Sequence, residues 1–122
     1  MVYVVLQGKT QLQALESAWA GAAEYKLVIG HDLTSGLGAS IYIISREYSP
    51  VLLILDGDTT NEDRLYEQKE FAEYMVRRSA ADQPFEAIFA APTVMDELQD
   101  HPDQFVAKVE EAVERLAAAA PA

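Results

Sequence analysis

Asp56 and Asp58 stand one residue apart at the end of the most apolar run in the chain, residues 51–55, with Gly57 between them. Carboxylates so placed can converge through a turn and share a hard divalent cation such as Mg²⁺. Gly57 lets the backbone turn sharply there. Without a cation the two carboxylates repel, and one tends to hold a proton. The same residues also describe a glycine turn followed by acids that favour the start of the next helix. Spacing alone leaves both readings open. Three further polar clusters follow apolar runs: Gln7-Gly8-Lys9, His31-Asp32 ahead of Gly36 and Gly38, and Pro92-Thr93. His31 and Asp32 can serve as metal ligand or acid–base pair, or face solvent as ordinary loop residues. Gly30, Gly36 and Gly38 lack the Gly-Lys-Ser/Thr of a phosphate loop and the third glycine of a dinucleotide fingerprint, so a flexible turn is the simpler role.

These clusters need elements to hold them. Residues 2–6, 25–29, 51–55 and 85–90 are short apolar runs, rich in β-branched or aromatic residues and almost free of charge, and read as buried strands. Between and after them the pattern is helical. Thr10 with Gln13 resembles a capping box, and Leu12, Leu15, Trp19 and Ala22 or Ala23 recur at helical spacing. Residues 37–48 fit an amphipathic crossover. Thr59 or Thr60 caps a helix running to about Ala80, with Glu62 and Asp63 in its first turn and Arg77 and Arg78 at its end. Thr93 opens a short helix, and Pro102 a last one with Phe105, Val109, Ala112, Val113 and Leu116 on its apolar face. Residues 117–122 are expected to fray. The order βαβαβαβα predicts a single α/β domain over 1–122, a four-stranded, mostly parallel sheet with helices on both faces. In such sheets ligand groups gather beyond the carboxyl ends of the strands, which puts all four polar clusters on one rim.

Composition sets the outer bounds. The chain has 122 residues, 50% of them apolar, and a mean hydropathy of -0.03, as expected of a globular domain that can bury a core without staples. There is no cysteine, which excludes disulfides, cysteine-ligated zinc, iron–sulfur clusters and thiol nucleophiles. The formal net charge is -11, and most of the acidic surplus lies after residue 60. That field disfavours nucleic acid as a partner, because phosphate binding rests on Lys and Arg, but it does not forbid a divalent cation or a basic protein partner. The first six residues lack a basic leader and are too short for a signal core or a span, so a cytoplasmic protein with no membrane role is expected.

The order of motifs resembles the Toprim domain of topoisomerases, bacterial primases and related nucleases. That family opens on a strand ending in Glu-Gly and later has a strand ending in Asp-x-Asp. Here residues 4–11, Val-Val-Leu-Gln-Gly-Lys-Thr-Gln, fall in the first place and residues 53–58, Leu-Ile-Leu-Asp-Gly-Asp, in the second. The likeness spans roughly residues 2–92. It implies a Rossmannoid fold, Mg²⁺ at Asp56 and Asp58, and a general acid/base at position 7. Gln7 stands where that Glu belongs, and Gln11 where a downstream Asp often falls. An amide neither ionises nor transfers protons. General acid–base catalysis is typically worth about 10² to 10⁴-fold. The resemblance therefore implies a degenerate, catalytically impaired domain acting as a regulatory or interaction module, with Lys9, His31, Asp32 and Thr93 on the rim of its site.

Two alternatives compete. One is an active metal-dependent nuclease in which Asp32 or Asp58 has taken over proton transfer. The other is a phosphatase, because Asp56-Gly-Asp58-Thr59-Thr60 is similar to the Asp-x-Asp-x-Thr signature of haloacid-dehalogenase-type enzymes, with Asp56 as nucleophile, Thr93 in the second motif and Lys108 as the later lysine. That signature normally sits on the first strand, and its closing acidic motif is missing after Lys108.

Overall fold

A computed structural model of the chain describes residues 2–29, 50–56, 84–90 and 93–119, together with Glu70. In chain order the elements are β1 (Tyr3–Leu6), α1 (Lys9–Ala18), a 3-10 turn (Ala20–Glu24), β2 (Lys26–Ile29), β3 (Val51–Asp56), β4 (Phe85–Ala90), α2 (Val94–Asp100) and α3 (Pro102–Ala119). The strands form one sheet in the order β2-β1-β3-β4, and every pairing is parallel. The expected α/β class is thus present, and the expected mostly parallel sheet is parallel throughout the described residues. The helices expected over residues 37–48 and 60–80, and with them the two-faced helix arrangement, lie outside the described residues apart from Glu70, which is helical.

Strand alternation divides the core in two. Val4, Leu6, Leu52, Ile54, Ile88 and Ala90 face α1 and α3, where they meet Leu15, Phe105, Val109 and Val113. Val5, Val51, Leu53, Leu55 and Phe85 point to the other face and are equally closed to solvent. Burial on both faces is why β3 reads in sequence as an unbroken apolar run. On α3 the buried residues are Phe105, Val109, Ala112, Val113 and Leu116, the stripe its periodicity predicts. Arg115, on the outer side of α3, pairs with Glu86 of β4, an exposed contact worth about 0–1 kcal/mol. The helix runs through Ala119, into the stretch expected to fray.

The first helix departs from its sequence reading. Thr10 is not its cap: α1 begins at Lys9, with Gly8 in the capping position and no side-chain capping bond. The helix also stops at Ala18, and Ala22 belongs to the following 3-10 turn. Trp19 breaks the helix by adopting an extended backbone (φ -111°, ψ 106°). That conformation lays its indole into the core, 2% exposed, where Nε1 donates to Oε1 of Glu110 on α3 at 3.0 Å. Gly21 gives the indole its room, since a Cβ there would stand 3.2 Å from Trp19 Nε1. Tyr25, expected inside the second strand, precedes β2 and stacks on Trp19 instead.

Thr93 does cap its helix. Its Oγ1 accepts from the Asp96 backbone N–H at 3.1 Å and donates to Asp96 Oδ2 at 2.8 Å. Among the described residues no helix is long and apolar enough to cross a membrane.

Candidate functional site

After β1 the chain crosses to β2 on one side, and β3 then lies on the other side of β1. The gap between β1 and β3 is therefore the topological switch point, where open parallel sheets form a crevice beyond their carboxyl ends. Gln7 follows the last residue of β1, and Asp56 is the last residue of β3. Topology alone brings the two together.

Their contacts are specific. The Asp56 backbone N–H donates to Gln7 Oε1 at 2.9 Å, tying the two strand ends across the switch point. Of the two carboxylate oxygens of Asp56, Oδ1 accepts from the Val94 backbone N–H at 2.7 Å, and Oδ2 accepts from Gln11 Nε2 at 2.9 Å. Gln11 closes the circuit, because its Oε1 accepts from the Gln7 backbone N–H at 3.2 Å. The amide orientation of Gln11 follows from this arrangement: the reversed amide would oppose oxygen to carboxylate and N–H to N–H. The Val94 N–H belongs to the first turn of α2, where backbone donors have no partner within the helix and a carboxylate is a favourable acceptor. Asp56 thus joins the ends of β1, α1, β3 and α2 through two charge-assisted hydrogen bonds and its own N–H. Bonds to a charged group of this kind contribute roughly 1.5–3 kcal/mol each.

Of the residues read from the sequence as a site, Gln7 and Asp56 meet. Thr93 caps α2 next to Val94, whose N–H holds Asp56. Lys9 is exposed at the start of α1. Asp58, His31 and Asp32 lie outside the described residues. Gln11 has a larger part than its sequence reading gave it, as the residue that grips the Asp56 carboxylate. The available signal was its spacing, four residues after Gln7 across a helix start. The Val94 N–H carries no side-chain signature at all.

The chemistry open to this cluster is limited by its composition. Among the described residues it holds one carboxylate, two neutral amides and backbone N–H groups, and the amide at position 7 cannot exchange a proton near neutral pH. Both Asp56 oxygens already accept hydrogen bonds, which leaves a metal ion or an electrophilic phosphorus only their remaining lone pairs. Among the described residues no three His, Asp or Glu side chains gather as a metal-binding group. Comparison with protein-family models, curated proteins and solved structures finds no match to this chain.

Proposed function

We propose that this chain is a Toprim-like domain whose catalytic site has become a structural tie, and that it acts as a regulatory or interaction module rather than as a nuclease. The observation that carries the reading is the Gln7–Asp56 contact at the β1–β3 switch point. An amide there takes the position of an acid/base group and uses its carbonyl to hold the backbone of β3. Gln11 supports the same reading, since it offers the Asp56 carboxylate a neutral donor where an acid would offer a cation a second ligand. Mg²⁺ taken up by Asp56 and Asp58 competes with the Gln11 amide and the Val94 N–H for the Asp56 oxygens. Such a site has two carboxylates at most and keeps most of the ion's waters. A phosphatase reading is less favoured, because a nucleophilic Asp56 must present an oxygen that here is already engaged.

The test is incubation of the purified chain with plasmid DNA, structured RNA and a generic phosphate ester, each with Mg²⁺ or Mn²⁺. The expected outcome is no metal-dependent cleavage. Nicking that Asp56→Asn abolishes would establish the nuclease alternative, and ester turnover through an aspartyl-phosphate would establish the phosphatase.

A further inference from the structure

The amino end of the sheet holds a second feature, unrelated to the Asp56 network. α1 leads away from the carboxyl ends of the strands, so Trp19, beyond its last turn, and Tyr25, just ahead of β2, come together at the opposite end. Their rings stack with centroids 5.0 Å apart and planes 17° from parallel. They form one wall of an open pocket of about 400 Å³, completed by Glu16, Ala20, Ala23 and Leu27. The small residues of the 3-10 turn keep that wall low, and Tyr25 is the half-buried ring that the pocket can offer to a ligand.

Carboxylates lie near this ring. Glu16 lines the pocket directly. Glu24, Glu110 and Glu114 all lie near enough to act electrostatically on Tyr25, and all four acids are exposed. Glu110 is also fixed in place by the Trp19 N–H. No base offsets them from the neighbouring strand: Leu27 packs with the α1 and α3 side of the sheet, Val28 with the other, and Lys26 shares the side of Val28 by strand alternation. An aromatic ring beside several negative charges attracts an organic cation, and a planar guanidinium gains most because it can stack on the ring while its N–H groups reach carboxylates.

We propose that the Trp19–Tyr25 pocket receives an arginine side chain from a basic segment of a protein partner, with the guanidinium over Tyr25 and Glu16 as its principal counter-ion. The overall charge of -11 steers such a segment toward the chain, and the pocket supplies the selectivity that charge alone lacks. This site is independent of the Asp56 network and of the function proposed for it.

The probe is a short blocked peptide with two arginines, compared with versions in which lysine or the neutral isostere citrulline replaces them. Trp19 is the only tryptophan of the chain and sits in the pocket wall, so its fluorescence reports occupancy without a label. The arginine peptide is expected to bind saturably, at least tenfold tighter than the citrulline peptide and more tightly than the lysine peptide. Glu16→Gln, an exposed change on α1 that leaves the fold intact, is expected to weaken it about tenfold, and Tyr25→Leu more. Tyr25→Phe is expected to retain binding, and Asp56→Asn to leave it unchanged. Equal binding of all three peptides, equal binding of the arginine and lysine peptides, or an arginine affinity that Glu16→Gln leaves unaltered, would overturn the proposal.

Discussion

The two ends of the sheet use the same residue types in opposite ways. Among the described residues at the carboxyl end, the Asp56 carboxylate is met by the Gln11 amide and a helix N–H while Gln7 holds its backbone, so its charge is absorbed within the fold. At the amino end the acids around Tyr25 are exposed, and only Glu110 has a partner on the aromatic pair, the Trp19 N–H. The carboxyl end is where parallel topology places a site, yet its polar groups bind one another. The amino end has no topological claim to be a site, yet its aromatic pair and Glu16 line a pocket. Chain topology fixes where polar groups converge. Whether they are available to a ligand depends on whether neighbouring donors have already used them.

Removing one acid from each end turns this contrast into a measurement. Asp56→Ala deprives both the Val94 N–H and the Gln11 amide of their acceptor and unties β3 from α1 and α2. The expected loss is about 3 kcal/mol of unfolding free energy, since each orphaned donor costs roughly 1–3 kcal/mol and the site is half-buried. Glu110→Ala removes one bond at an exposed carboxylate, with an expected loss of about 1 kcal/mol. Urea unfolding of the two variants checks the difference. Equal losses would mean that the carboxyl-end network holds the fold no more firmly than an ordinary surface contact.

The parts of this arrangement differed in how plainly the sequence showed them. The strands and the buried face of α3 were legible, because burial imposes a local periodicity on Val51–Asp56 and on Phe105 through Leu116. The Thr93 cap was legible for the same reason, its partner being three residues away. The end of α1 was not. Trp19 abandons helical geometry for a bond to Glu110, 91 positions along the chain, and no local pattern encodes so distant a partner. The Thr10 capping box failed because the helix begins earlier, at Lys9, which leaves Thr10 inside its first turn. At the site, the meeting of Gln7 and Asp56 followed from strand order, whereas the grip of Gln11 on the carboxylate depended on the direction of one side chain.

A charge placed at position 7 sharpens the contrast further. Gln7→Glu keeps a carbonyl-type oxygen for the Asp56 N–H but sets a second negative charge beside the Asp56 carboxylate. Adjacent like charges repel, so the expected outcome in metal-free buffer is a loss of stability smaller than that of Asp56→Ala. A divalent cation relieves that repulsion and gains a ligand. Mg²⁺ should therefore raise the melting temperature of Gln7→Glu more than that of the unaltered chain, because a ligand stabilises in proportion to its preference for the folded state. Calorimetric titration should show the same order of affinity. Identical Mg²⁺ responses would place position 7 outside any cation site and remove the support that Gln7 gives to a lost catalytic role.

The smallest effect belongs to the amino end and tests whether its acids act together on Tyr25. Burial raises the pKa of the Tyr25 phenol above its ordinary value, and Glu24, Glu114 and Glu110 raise it further by opposing a second negative charge. Because the folded-state value is the higher one, the phenol's contribution to stability is complete below the unfolded value of roughly 10 and is lost as pH rises through the folded value. Phenolate absorbance followed against pH, with Tyr25→Phe subtracted, should show one tyrosine titrating above the ordinary range. In about 1 M salt, where screening acts within roughly 3 Å, the part due to the three glutamates should shrink while the part due to burial persists. A Tyr25 that titrates normally, or whose shift ignores salt, would mean that the glutamates do not converge on the ring and that the two ends of the sheet differ less than their contacts indicate.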